Sequence, residues 1–138
     1  MTLAEIRQTI RRAIEADQIG TPVAVRWHLR LPSGSELEPL LADCLRDSEQ
    51  VLDSAIRSVG LTPESPNVMS ALATCANGRT VMVSVSNTDE SPAAHVLLVG
   101  NRGTIRLEGS ELFEPSDVSS DARFDNWSDC LRVGPLPQ

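Results

Sequence analysis

Pro22-Val23-Ala24-Val25-Arg26-Trp27-His28-Leu29-Arg30-Leu31 alternates in side-chain character with a period of two. Val23, Val25, Trp27, Leu29 and Leu31 fall on one face of an extended chain, and Ala24, Arg26, His28 and Arg30 fall on the other. The pattern predicts a half-buried strand with a cationic outer stripe, so the flanking segments must cover its apolar face. Upstream, Leu3, Ile6, Ile10, Ala13 and Ile14 recur at helical spacing, which predicts an amphipathic helix within residues 1–20. Thr2 and Glu5 have the spacing of a capping box, and Gly20 can take a left-handed turn after the helix end.

Downstream, Pro32-Ser33-Gly34-Ser35 breaks the strand. Leu37, Leu41, Cys44, Leu45, Leu52, Ala55, Ile56 and Val59 then predict a second helix over 37–59, stopped by Gly60. Leu61 to Asn67, with Pro63 and Pro66, reads as a loop. Asn77-Gly78 is a hairpin turn between strands over 68–76 and 79–87, because both turn residues accept positive φ. A second hairpin joins 94–99 to 104–108 through Gly100 to Gly103. The expected fold class is therefore α+β, in a single domain over 1–138. An open, mostly antiparallel sheet occupies 22–109 with the helix 37–59 inserted, and the helices pack on one face. A polar C-terminal segment follows over 110–138, in which Phe124, Trp127 and Leu131 stand at helical spacing.

Composition narrows the function. A chain of 138 residues buries about 70% of its unfolded surface, enough for a core without staples. With 19 acidic against 12 basic residues the net charge is -7, which opposes nucleic acid and anionic membranes, and an aromatic content of 3% offers no base-stacking surface. Cys44, Cys75 and Cys130 are widely spaced and lack the companions of a zinc site, so buried reduced thiols are expected and no metal. No signal peptide and no apolar run near the ~20 residues of a membrane span are visible, which implies a cytoplasmic location.

Two short motifs and a weaker third carry a resemblance. Ala16-Asp17-Gln18-Ile19-Gly20-Thr21-Pro22 follows a helix and leads into a strand, and Gly100-Asn101-Arg102-Gly103-Thr104-Ile105-Arg106-Leu107 joins two strands. With the segment from Phe124 to Pro135, they resemble, in order, landmarks of the C-terminal domain of the Gfo/Idh/MocA oxidoreductases, from about residue 3 to residue 135. Gly100-x-x-Gly103 is a hairpin turn and not a dinucleotide fingerprint, because no helix follows it. The resemblance implies a sheet whose open face packs on a copy of itself, and a nucleotide-binding half that this chain lacks.

In that family a lysine and an Asp-x-x-x-His pair serve catalysis. All 12 basic residues here are arginine. When Asp53 is matched to the family's retained aspartate, Gln50 stands at the histidine and Arg46 at its aspartate. Glutamine cannot cycle a proton near neutral pH, so the expectation is a degenerate site at Arg46, Gln50 and Asp53, with no catalytic residue and no cofactor. Asp47 and Asp53 read as carboxylates on a solvated helix face, and His95 reads as structural. Two functions remain. One is a catalytically inactive binding or oligomerisation module, a homodimer through an open face bearing Arg26, His28, Arg30 and Arg106. The other is part of a complete NAD(P)-dependent sugar or polyol dehydrogenase whose nucleotide-binding half is elsewhere, either in a longer reductase of which this is the C-terminal portion or in a separate nucleotide-binding subunit.

Overall fold

Ile6, Ile10 and Ala13 are all buried, so the first helix, α1 (Leu3–Glu15), lays its apolar stripe on the core as its spacing requires. The computed structural model describes residues 3–109 and 131–133. Thr2 of the expected capping box, Cys130, and the Phe124 and Trp127 of the C-terminal motif lie outside the described residues. Asp17, with φ 57°, takes the left-handed position just after α1, and Gly20, with φ 74°, makes a second such turn before the sheet begins.

The strands are β1 (Pro22–Pro32), β2 (Ile56–Ser65), β3 (Val68–Cys75), β4 (Thr80–Thr88), β5 (Ala93–Gly100), β6 (Thr104–Gly109) and β7 (Leu131–Val133). They form one seven-stranded sheet in the order β6-β5-β1-β4-β3-β2-β7. Pairing is antiparallel except for β1 with β4 and β2 with β7. The fold is α+β with an open, mostly antiparallel sheet, as expected. In β1 the alternation holds from Val25 onward, but Val23 is exposed at 36%. A bulge between Pro22 and Ala24 removes it from the buried face.

The second helix departs from expectation. α2 (Glu38–Leu52) ends seven residues before Val59, and 56–65, expected as the helix end and a loop, is strand β2. Asp53 adopts a left-handed conformation at φ 50° and closes the helix, its N–H donating to the carbonyl of Gln50. The cause of the misreading is a bulge between Ile56 and Ser58, which brings Val59 to the same buried side as Ile56. Their three-residue spacing imitates a helix. Gly60 lies within the ladder, opposite Leu72 on one side and Arg132 on the other. Leu131 is likewise strand, paired with Val59.

α2 contacts β1, β3 and β4 from one side, covering Trp27, Ala73, Val81, Val83 and Val85, all 0–1% exposed. Among its contacts, the indole N–H of Trp27 donates to Ser48 Oγ at 2.9 Å, and that hydroxyl donates to the Cys44 carbonyl at 2.7 Å. The buried indole is thereby satisfied, and α2 is fixed over the centre of the sheet. On the opposite face Leu72 and Met82 are 55% and 41% exposed.

The two landmark motifs meet in space. Arg102 N–H donates to the Ile19 carbonyl and Asn101 N–H to the Thr21 carbonyl, both at 2.9 Å, and Thr21 N–H donates to Asn101 Oδ1 at 2.9 Å. Such closeness excludes side chains. A Cβ on Gly100 would lie 2.2 Å from the Ile19 carbonyl oxygen, and one on Gly20 would lie 2.1 Å from Asn101 Oδ1. Gly100→Ala is expected to destabilise the protein by about 2–3 kcal/mol, because backbone must move. Gly34→Ala, at φ 86° but in open space, should cost only about 1 kcal/mol. Urea unfolding of both variants compares them, and an equal loss would contradict the close approach.

Candidate functional site

Among the hollows formed by the described residues, two on opposite sides of the sheet hold the expected site residues. The larger is a cleft of about 490 Å³ beside α1 and α2, with Ile10, Ile14, Val51 and Trp27 among its apolar lining and Arg11, Asp47, Gln50, Asp53 and Arg79 among its polar lining. Gln50 and Asp53 of the expected degenerate site therefore face one space. Arg46 is absent from the lining and pairs instead with Asp43, Nη2 to Oδ1 at 2.9 Å. Arg79 reaches the last carbonyl of α2, Nη1 to Leu52 O at 2.6 Å, which anchors the cleft wall to the β3–β4 turn.

Asp47 is not the solvated carboxylate the sequence suggested. Together with Asp43, one helical turn away on α2, it holds the guanidinium of Arg7 from α1. Asp43 is only 5% exposed. Burial pulls Arg7 towards a lower pKa, but Asp47 and Asp43 together carry it above its ordinary value. Burial pushes the Asp47 carboxyl above the usual aspartate range; Arg7 pulls it back without prevailing, and Asp43 adds to the rise. At Arg7 the attraction of the two carboxylates outweighs burial, whereas at Asp47 burial outweighs the attraction of Arg7. The available signal was the i,i+4 pair Asp43 and Asp47 with a lone basic residue on the preceding helix's inner side.

Among the described residues the cleft lining contains neither histidine nor cysteine, and its carboxylates are Glu15, Asp47 and Asp53. Both histidines lie on the open sheet face. Cys44 is buried under α2, where desolvation drives its thiol well above the ordinary value, and burial raises Cys75 as well. Among the described residues no three His, Cys, Asp or Glu side chains are placed to hold a metal ion.

The open face carries the smaller hollow, about 190 Å³, whose lining includes Arg26, His28, His95, Leu97, Arg106 and Glu108. His28 and His95 are partners across the β1–β5 ladder with ring centroids 6.3 Å apart. His95 Nδ1 lies 3.6 Å from Glu108 Oε1. Arg30, expected in this group, is instead held by Glu90 at 3.2 Å and by the Ser91 carbonyl at 2.6 Å. The structure thus brings together Arg26, His28 and Arg106, sets Arg30 apart, and adds His95, which sequence reasoning had taken as structural. The alternation of β5 alone could have found it, since His95 shares the face of Leu97.

Asp47 binds its proton more tightly folded than unfolded, so its stabilising contribution is complete below the ordinary aspartate value and is lost as pH climbs through the raised one. Asp47→Asn is expected to abolish that falling limb in urea unfolding measured across acidic pH, and an unchanged curve would assign it elsewhere. Arg7→Met should cost about 3 kcal/mol in the same assay, because it leaves two carboxylates without their shared cation.

No protein-family model matches the sequence, and no curated protein sequence matches it. Solved structures do match. Scyllo-inositol dehydrogenase from Lactobacillus casei, with bound NAD(H) and scyllo-inositol, superposes with a TM-score of 0.63 at 10% identity over 87% of this chain. Myo-inositol dehydrogenase from the same organism, in complex with NAD(H) and myo-inositol, gives 0.61 at 15% identity over 90%. The chain spans less than half of either structure, 47% and 44% of their lengths. Among the described residues no helix is long and apolar enough to cross a membrane. The expected resemblance is therefore a likeness of fold: over nearly its whole length this chain is shaped like part of a Gfo/Idh/MocA-type inositol dehydrogenase.

Proposed function

We propose that this chain is a catalytically inactive oligomerisation and binding module that associates with a second copy through its open sheet face. The observation that carries the reading is the pairing of Leu72 with Met82 in the β3–β4 ladder, where both side chains stand exposed at 55% and 41%. Beside them a hollow of about 220 Å³ is lined by Leu97 and Val99 as well, so apolar surface continues across β1 to β5. Seven strands at a spacing of about 4.8 Å, from eleven residues in β1 to three in β7, present on the order of 800 Å², close to what one partner of a stable interface buries. The resemblance to the oxidoreductase family supports the same face, since it implies packing of sheet on sheet.

Inactivity is supported by the chemistry of the cleft. Gln50 cannot exchange a proton near neutral pH, Asp47 is engaged by Arg7, and among the described residues the lining holds the carboxylates Glu15 and Asp53 but no lysine or histidine. A second reading, a part of an NAD(P)-dependent dehydrogenase whose nucleotide-binding half lies in a longer polypeptide or in a separate chain, is favoured by one observation. The cleft of about 490 Å³ has the size of a small-molecule site and contains both Gln50 and Asp53.

Sedimentation velocity of the chain is expected to show a dimer that becomes a monomer in the double variant Leu72→Glu, Met82→Glu. A wild-type monomer at high micromolar concentration would remove the module reading. Calorimetric titration with NAD and NADP should show no uptake by the chain alone. Dehydrogenase activity on mixing with a nucleotide-binding partner would favour the second reading over the first.

A further inference from the structure

We infer that the hollow over Leu97 on the open sheet face is a binding site for a phosphate group, free or as a monoester, clamped between Arg26 and Arg106. Leu97 on β5 stands opposite Arg26 on β1 and opposite Arg106 on β6. The two arginines therefore flank one leucine from backbones about 10 Å apart, a span that two long side chains can close from both sides. The next row along the same face is His28, His95 and Glu108. Four nitrogen-bearing side chains from three adjacent strands thus surround a space of about 190 Å³, the liquid volume of about six waters.

The charge balance is what singles this place out. The chain has 19 acidic and 12 basic residues, and Arg7, Arg30, Arg46 and Arg102 each meet a carboxylate. Among the described residues Arg11, Arg12, Arg26, Arg57, Arg79 and Arg106 meet none, and of these Arg26 and Arg106 share a hollow whose lining holds a single carboxylate. Glu108 is the one carboxylate in the lining; it is 74% exposed and its ion-pair partner is His95. Two permanent cations left without acids in an acidic protein make a local positive potential that a dianion satisfies.

Shape agrees with charge. Guanidinium groups present planar forks that bond two oxygens of a phosphate at once, and two such groups can hold a tetrahedral oxyanion from opposite sides. His28 and His95 add ring nitrogens at the third side, and Leu97 and Leu107 supply an apolar boundary for the organic part of an ester. Because all of these side chains come from paired strands, their spacing is set by the ladder before any ligand arrives. The site is complete in one chain, so it extends the self-association reading without depending on it.

Titration of the chain with sodium phosphate and with glycerol phosphate, each against sodium chloride at matched ionic strength, tests the inference by calorimetry and by amide NMR. One saturable site per chain is expected, with shifts centred on β1, β5 and β6. Arg26→Gln and Arg106→Gln should each weaken binding by about tenfold or more, as the loss of a charge-assisted bond requires. Arg12→Gln, on the exposed side of α1, should leave it unchanged. Tighter binding of the ester than of inorganic phosphate identifies esters as the ligand class, and equal binding identifies the free ion. A response that does not saturate, or that chloride reproduces, overturns the site, as does saturable binding that survives both substitutions. Sedimentation in the same buffers separates the two proposals. A wild-type monomer that binds phosphate removes the self-association reading alone, and a monomeric Leu72→Glu, Met82→Glu variant, whose open face is uncovered, that does not bind removes the phosphate site alone.

Discussion

The backbone of Ile19-Gly20-Thr21 lies directly against that of Gly100-Asn101-Arg102, and three hydrogen bonds of 2.9 Å hold the two together. This clasp sits where the chain leaves its first helix and begins β1. A strand has a side-chain period of two, so a slip of one residue at this point would send Trp27 and Leu29 to the open face and Arg26 and His28 into the core. The bulge between Pro22 and Ala24 absorbs the mismatch, and from Val25 onward the register with both neighbours is regular. Both the helix-covered core and the cationic face follow from that alignment. Glycine at positions 20 and 100 is the condition for it, since no other residue leaves room for the approach.

Much of this arrangement could be read from residue order, and the reasons for the exceptions are local. Period-two patterns in β1, β4 and β5 and the Asn77-Gly78 turn are signals that tertiary contacts reinforce, so those elements stand where expected. β2 was hidden because its bulge places Ile56 and Val59 three residues apart on one side, which is the spacing of a helix. Periodicity assumes a regular element, and a bulge breaks that assumption without leaving a mark in composition. A three-residue strand such as β7 is too short to show any period at all, and it exists because β2 offers it an edge.

Charge was less legible than shape. The cationic stripe of β1 could be seen in the sequence, but which arginines would find acids could not, because partners come from distant segments. Arg30 meets Glu90 some sixty residues later, whereas Arg26 on the same strand is left to face Arg106 across Leu97. On the helix side the same logic gives the opposite outcome. Arg7 is held by two aspartates from another helix, and this shared cation joins α1 to α2. The molecule thus pairs its partly buried aspartates with arginines on the helix side and leaves Arg26 and Arg106 exposed on the open sheet face.

β1 has a further consequence through its place in the chain. It is completed by residue 32, yet the strands on its two sides, β4 and β5, begin only at residues 80 and 93. During synthesis the central strand must wait, with both edges unsatisfied, until most of the polypeptide has emerged from the ribosome. Contacts of such long sequence separation slow folding, since a large loop has to close before any pairing energy is gained. A nascent chain stopped short of β4 would present two bare edges along β1, the kind of surface that chaperones shield.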